Sequence, residues 1–208
     1  MAGTFITFEG CEGVGKTTQA KLLKQYLDDT LQDSIFTREP GGTKIAEEIR
    51  NMILDGNSNI SPIVEAYLFA AARADHILNL VLPALEQNKI VICDRYIDSS
   101  LAYQGVGRGL GFETVLKINE FACSCCMPDC TIFINMDPRN SWRKQKGKVI
   151  TGDRMEDETD HFHIMVYNAF KEISQKYSDR FINIDPTEDK ELTSRSIIEK
   201  LISRGLIK

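Results

Sequence analysis

In "GCEGVGKT", Gly10 is followed after four residues by Gly15, Lys16 and Thr17. Glycines at 10, 13 and 15 let the backbone curl so that its N–H groups turn inward toward anionic oxygens. The lysine then reaches a nucleotide's outer phosphates, and the hydroxyl offers a ligand to Mg²⁺. A strand-like segment precedes the loop and a helical pattern follows, the context that a phosphate-binding (Walker A) loop requires. Gly10, Cys11, Glu12, Gly13, Val14, Gly15, Lys16, Thr17 and Thr18 are therefore expected to hold ATP. The metal needs an acid at the end of a neighbouring strand. "KIVICD" supplies Asp94 after four apolar residues, so Thr17 and Asp94 are the expected Mg²⁺ ligands, the aspartate directly or through water. Glu12 is the odd member. A carboxylate beside phosphates is repelled, so its side chain is expected to point across the cleft instead.

A second set of charges suggests what receives the phosphate. Arg38, Arg73, Arg95 and Arg108 fall after expected strands or on a nearby helix, and "WRKQKGKVITGDR" adds a basic loop. Together they point to a second anion site facing ATP. A phosphate acceptor is already ionised, so its kinase needs no strong general base; it must align two polyanions and neutralise the transferring group. Arginine suits that task because its fork binds phosphate bidentately and stays charged. A GTPase switch is excluded, since neither an Asn/Thr-Lys-x-Asp nor an Asp-x-x-Gly string occurs. Two alternatives stay open on the residues alone: a kinase of another nucleoside monophosphate, such as dUMP, and a nucleotide-dependent switch or binding module.

These residues need a scaffold that gathers strand ends. Strands are expected at Thr4–Glu9, Ser34–Arg38, 89–94, 131–136 and 181–185, with helices after Lys16 and over 44–54, 62–80, 112–125, 159–177 and 188–203. Ser61 and Pro62 make a helix start. Ile45, Ile49, Met52 and Ile53 share one helical face, as packing on a sheet would require. Strand–helix alternation predicts a parallel sheet with helices on both faces and ligands at the strands' carboxyl ends.

The chain has 208 residues, 42% of them hydrophobic, and a net charge of -5. That reads as one domain over 1–208 and argues against a nucleic-acid polymer as partner. No apolar run in the sequence approaches membrane-spanning length, and "MAGTFITFEG" lacks a basic n-region, so a cytoplasmic location is expected. Four of six cysteines crowd into "CSCCMPDC"; neighbours that close do not converge on one tetrahedral point, so thiols at a helix end are expected rather than zinc. His161 and His163 read as helix-surface residues.

"TREPGGT" (37–43), "LFAAAR" (68–73) and "DRYIDSSLAYQG" (94–105), spaced as they are behind the phosphate loop, closely resemble bacterial thymidylate kinases, and the resemblance covers nearly the whole chain. It implies an α/β fold of the P-loop NTPase type: a three-layer sandwich with a five-stranded parallel sheet and a short basic lid at about 142–154. It also implies ATP and Mg²⁺, conversion of dTMP to dTDP, and a homodimer formed through helices beside the sheet. By resemblance, Arg38, Arg50 and Arg95 hold the acceptor phosphate, and Arg95 also touches the transferring group. Phe69 stacks on thymine, Arg73 donates to its O4, Gln104 pairs with N3–H and a neighbouring carbonyl, and Ser100 helps fix the base. Tyr103 lies against the sugar, Glu12 faces the 3′-hydroxyl, and Glu39-Pro40 is cis. The family commonly has arginine where this lid has Lys144; among Arg143, Lys144, Lys146, Lys148 and Arg154, the last is the first choice for the transferring phosphate.

Overall fold

A computed structural model describes residues 3–56, 58–140 and 158–208. Five strands, β1 (Thr4–Glu9), β2 (Ser34–Arg38), β3 (Ile90–Asp94), β4 (Cys130–Ile134) and β5 (Phe181–Ile184), pair in parallel in the order β2-β3-β1-β4-β5. Side chains alternate across β1: Phe5 packs into one apolar cluster with Ile77, Val81 and Tyr96, while Ile6 and Phe8 pack into another with Leu23, Leu27 and Phe170. The sheet is thus covered on both faces, which is why its strands read as near-continuous apolar runs. The expected α/β sandwich with five parallel strands is what forms.

The helices are α1 (Lys16–Asp29), α2 (Lys44–Leu54), α3 (Pro62–Glu86), α4 (Ile97–Ser100, extended by a π-helical segment, Leu101–Gly107), α5 (Phe112–Ile118), α6 (Glu120–Cys125), α7 (Asp160–Lys176) and α8 (Lys190–Ser203). Several depart from expectation for identifiable reasons. Helix α3 runs past residue 80 because a π-turn, Ile77–Val81, precedes Pro83, whose ring would clash with the carbonyl four residues back in a regular α-turn. At 25 residues and mean hydropathy 1.3, α3 is long and apolar enough to span a bilayer, contrary to the sequence reading. Its Glu65 and Arg73, however, are buried against partners within the fold. The helix expected over 112–125 breaks at Asn119, whose carboxamide donates to Val115 O and accepts from Arg73. Ser61 sits at the start of α3 without a side-chain capping bond, whereas Thr43 caps α2 through Ala46 N at 3.2 Å. Helix α2 packs on α3 rather than on the sheet, which buries Ala46 and Ile53 and leaves Ile45 and Met52 exposed.

The cysteines diverge: Cys125 is exposed, while Cys126 and Cys130 are buried. Burial pushes the Cys11, Cys126 and Cys130 thiols up to about 12. No group of three potential metal ligands occurs among the described residues. His161 is exposed as expected, but His163 is buried, edge-on to Phe162.

Candidate active site

The order of strands places β1 between β3 and β4, and the chain crosses from one side of β1 to the other between those two. That switch point opens a crevice at the carboxyl ends. The register sets its rim: Phe8 and Arg38 each lie abreast of Asp94. One row of strand ends therefore carries the loop, Asp94 and two arginines.

Gly10 leaves β1 at φ 141, and a Cβ there would sit 2.9 Å from Ile134 O, so only glycine lets the loop turn beside β4. Glu12, Gly13, Gly15, Lys16, Thr17 and Thr18 line a cavity of about 450 Å³ with Arg38, Arg50, Asp94 and Arg95. Cys11 and Val14 point their side chains into the core, so their part at the loop is through backbone alone. Lys16 is buried and donates to Cys11 O at 2.6 Å. Burial, then the charge of Arg95, holds its pKa below the ordinary lysine value, against Glu12 and Asp94. The Thr17 hydroxyl donates to Asp94 Oδ2, while Asp94 Oδ1 is buried with no hydrogen-bond partner among the described residues.

A second cavity, about 150 Å³, opens beside the first and shares Glu12, Glu39, Arg50 and Arg95 with it. Phe69, Arg73, Ser100, Tyr103 and Gln104 line it, so the structure brings together every expected base- and sugar-side residue. Glu65, Phe69 and Arg73 recur at four-residue spacing and share a face of α3. Arg73 is 2% exposed. It donates through Nε to Glu39 Oε2 at 2.7 Å, and through Nη1 to Ser100 Oγ at 3.0 Å and Asn119 Oδ1 at 2.6 Å. Burial opposes its charge, and Glu39 more than restores it. Glu39 also bonds His76 Nδ1 at 2.9 Å, and His76 Nε2 meets Thr37 Oγ1 at 2.8 Å. The Glu39-Pro40 bond is cis, as the resemblance implied. The adjacent Gly42, at φ 87, packs where a Cβ would lie 2.5 Å from Thr37 Oγ1.

Arg95 joins the two cavities. Its Nη2 donates to Glu12 Oε1 at 2.7 Å and its Nη1 to Gly10 O at 3.1 Å and Ser99 Oγ at 3.0 Å. Glu12 also accepts from Tyr103 Oη at 3.2 Å, so it points across the cleft as expected. Burial works to raise the Glu12 carboxyl, but the charges of Arg95 and Lys16 outweigh it and hold it at about 2. Arg95 adopts φ 74, a strain of about 1–3 kcal/mol for a non-glycine residue. Glu9 holds the chain there: its Oε1 accepts from Tyr96 N at 2.7 Å and Ser99 N at 3.2 Å, and its Oε2 from Ser99 Oγ at 2.6 Å. Burial and then the charge of Asp98 raise the Glu9 carboxyl.

Some expectations need correction. The stretch from Ile97 to Gln104, absent from the expected helices, is helical, and α4 begins over the Glu9 carboxyl. Arg108 is absent from the anion cavities; Glu65 at 3.3 Å and Glu158 hold it, over the Phe162 ring. Arg73 lines the smaller cavity and not the phosphate-loop cavity. The lid over 142–154, with Arg143, Lys144, Lys146, Lys148 and Arg154, lies outside the described residues. Sequence reasoning missed Glu9, Glu39, Glu65 and Asn119; the stretch from Asp137 onward, expected to matter as a strand end, lines a cavity of about 650 Å³ with Asn135, Tyr167, Asp185 and Pro186. The run of polar residues after "TIFI" was the available signal for that cavity.

The thymidylate kinase family model matches residues 8–197. The chain is 48% identical to a thymidylate kinase of Finegoldia magna, over 98% of this chain and 100% of that one. It is 43% identical to one of Bacillus velezensis, over 96% and 95%. The crystal structure of thymidylate kinase from Ehrlichia chaffeensis superposes with a TM-score of 0.79 at 32% identity, covering 97% of this chain and 99% of that one. By sequence, site geometry and fold together, the chain belongs to the thymidylate kinase family.

Proposed function

We propose that this chain transfers the γ-phosphoryl group of ATP to dTMP, giving dTDP and ADP. One observation carries the reading: a cavity lined by Phe69, Arg73 and Gln104 meets the phosphate-loop cavity at Arg95. The first fits a pyrimidine base and the second a chain of phosphates. The junction is where a phosphoryl group has to pass between them.

Phe69 stacks on thymine and Arg73, fixed by its three bonds, turns its remaining nitrogen to O4. Gln104 meets N3–H, and Ser100 keeps Arg73 in place. Tyr103 and Glu12 face the deoxyribose, the carboxylate accepting from the 3′-hydroxyl. The acceptor phosphate lies among Arg38, Arg50 and Arg95. Arg95, already aimed by Glu12 and Gly10 O, then stays with the transferring group. Lys16 gathers the donor's outer phosphates, which restore the full charge that burial diminishes. Arg154 and the other lid cations would close the donor side and exclude water.

The oxygens of Thr17 and Asp94 suit Mg²⁺, a hard cation held by few protein ligands plus phosphates and water, and the unpartnered Asp94 Oδ1 is the atom it would satisfy. When bound, the ion neutralises charge on the donor's phosphate oxygens. Ile45 and Met52 on α2, with Val64, Tyr67 and Leu78 on α3, are exposed apolar side chains that support a homodimer formed through these helices. Work on free nucleotides in the cytoplasm fits the chain's charge and ligands.

An ADP-release assay across dTMP, dUMP, dCMP, dGMP and UMP tests the reading, with dTMP expected to give the highest kcat/KM. Failure of every acceptor in the panel to give ADP release would refute the kinase assignment, and a stronger response to dCMP would refute the thymine pocket.

A further inference from the structure

We propose that Glu65 is a positioning residue that sets the base specificity of the acceptor cavity by fixing which way the Gln104 amide faces. The inference rests on the reading of Gln104 as the residue that meets the base edge. Glu65 is fully buried on α3, one turn before Phe69, and touches no ligand space itself. Its Oε1 accepts from Gln104 Nε2 at 2.8 Å and from Arg108 Nε at 3.3 Å. An amide has a donor end and an acceptor end of nearly equal shape, so an unrestrained glutamine can present either one to a ligand. A carboxylate beside a guanidinium only accepts, and it therefore captures the nitrogen.

That leaves the oxygen for the cavity. Gln104 Oε1 receives no hydrogen bond from any described residue, although Gln104 is only 1% exposed and lines the cavity. An oxygen there accepts N3–H of thymine or uracil and faces the N3 lone pair of cytosine. Reversing the amide to suit cytosine would place its oxygen against the Glu65 carboxylate and strip that group of a buried donor. Discrimination between bases is thus set one residue behind the contact.

The experiment compares Glu65→Gln with the parent enzyme on dTMP, dUMP and dCMP by kcat/KM, or by competitive Ki where turnover is too slow. A glutamine at 65 can either donate or accept, so the Gln104 amide can reverse at the cost of the longer Arg108 Nε contact alone. The dTMP-to-dCMP ratio is expected to fall by about tenfold or more, the scale of one unmade buried hydrogen bond. The dTMP-to-dUMP ratio is expected to stay constant, because both bases carry N3–H. An equal loss on all three acceptors would make Glu65 merely structural and overturn the proposal. Gln104→Leu separates the two levels: if it leaves the dTMP-to-dCMP ratio intact, the base-edge reading of Gln104 fails. If it lowers the ratio and Glu65→Gln does not, only the role of Glu65 fails. Glu65→Asp keeps the charge near Arg108 but withdraws it from Gln104, and serves if Glu65→Gln does not fold. Its ratio is also predicted to fall, and an unchanged ratio there overturns the proposal.

Discussion

The acceptor cavity encloses about 150 Å³ and is walled by side chains that already bond one another: Arg73 to Glu39, Ser100 and Asn119, and Gln104 to Glu65. The phosphate-loop cavity encloses about 450 Å³ and is lined by the loop itself, Lys16 and the Thr17–Asp94 pair, with Arg38 and Arg50 beside them. One cavity is walled by side chains bonded in advance around space for a base, and the other is lined mainly by groups suited to phosphates. The difference assigns recognition to the acceptor side. A buried donor or acceptor set in advance rejects a base lacking its complement, whereas contacts to phosphates carry no information about the donor's base. Between them, Arg95 is aimed by Glu12 and Gly10 O, so the reacting junction is also organised in advance.

The largest break in this contrast should come at the junction. Arg95→Ala is expected to lower kcat by about 10² to 10³-fold or more while leaving ATP affinity nearly unchanged, read by steady-state kinetics and nucleotide titration. An equal loss of ATP affinity would place Arg95 on the donor side. Next comes the organised wall. Glu39→Gln leaves the buried Arg73 guanidinium undercompensated and is expected to destabilise the fold by about 3 kcal/mol, measured by urea unfolding, and to raise KM for dTMP far more than for ATP. Similar rises in both would mean that Glu39 supports the fold without organising the acceptor wall.

The smallest effect concerns Glu12. Its folded pKa, about 2, lies below the ordinary 4.5, so its charge contributes stability above pH 4.5 that is lost as pH falls through 2. The stability gap between the parent and Glu12→Gln should therefore be largest above pH 4.5 and narrow toward pH 2. A gap independent of pH would show that Arg95 does not hold that carboxylate ionised.

Much of this was legible in the sequence because it is written locally. The apolar runs fixed the five strands to within about two residues, and the spacing of Gly10, Gly15, Lys16 and Thr17 located the loop whose hydroxyl meets Asp94. The arginines were visible, but their partners were not. Arg73 and Arg108 read as anion ligands because Glu39 and Glu65, which neutralise them, look like ordinary surface acids in a linear chain. Helix α4 was hidden for a similar reason: its start is capped by Glu9, 87 residues upstream of Tyr96. Local patterning also misassigned α2, where Ile45 and Met52 share a helical face with Ile53 yet stay exposed because α2 packs on α3 and not on the sheet. Pairings between distant elements decide these cases, and no window of sequence contains them.

The contrast between the cavities is tested most directly by one matrix of kcat/KM values, with dTMP, dUMP and dCMP as acceptors against ATP, GTP and CTP as donors. The account predicts a steep fall from dTMP to dCMP with every donor, and a much shallower spread among donors with dTMP. Donor discrimination as steep as acceptor discrimination would contradict the claim that recognition is built into the acceptor wall.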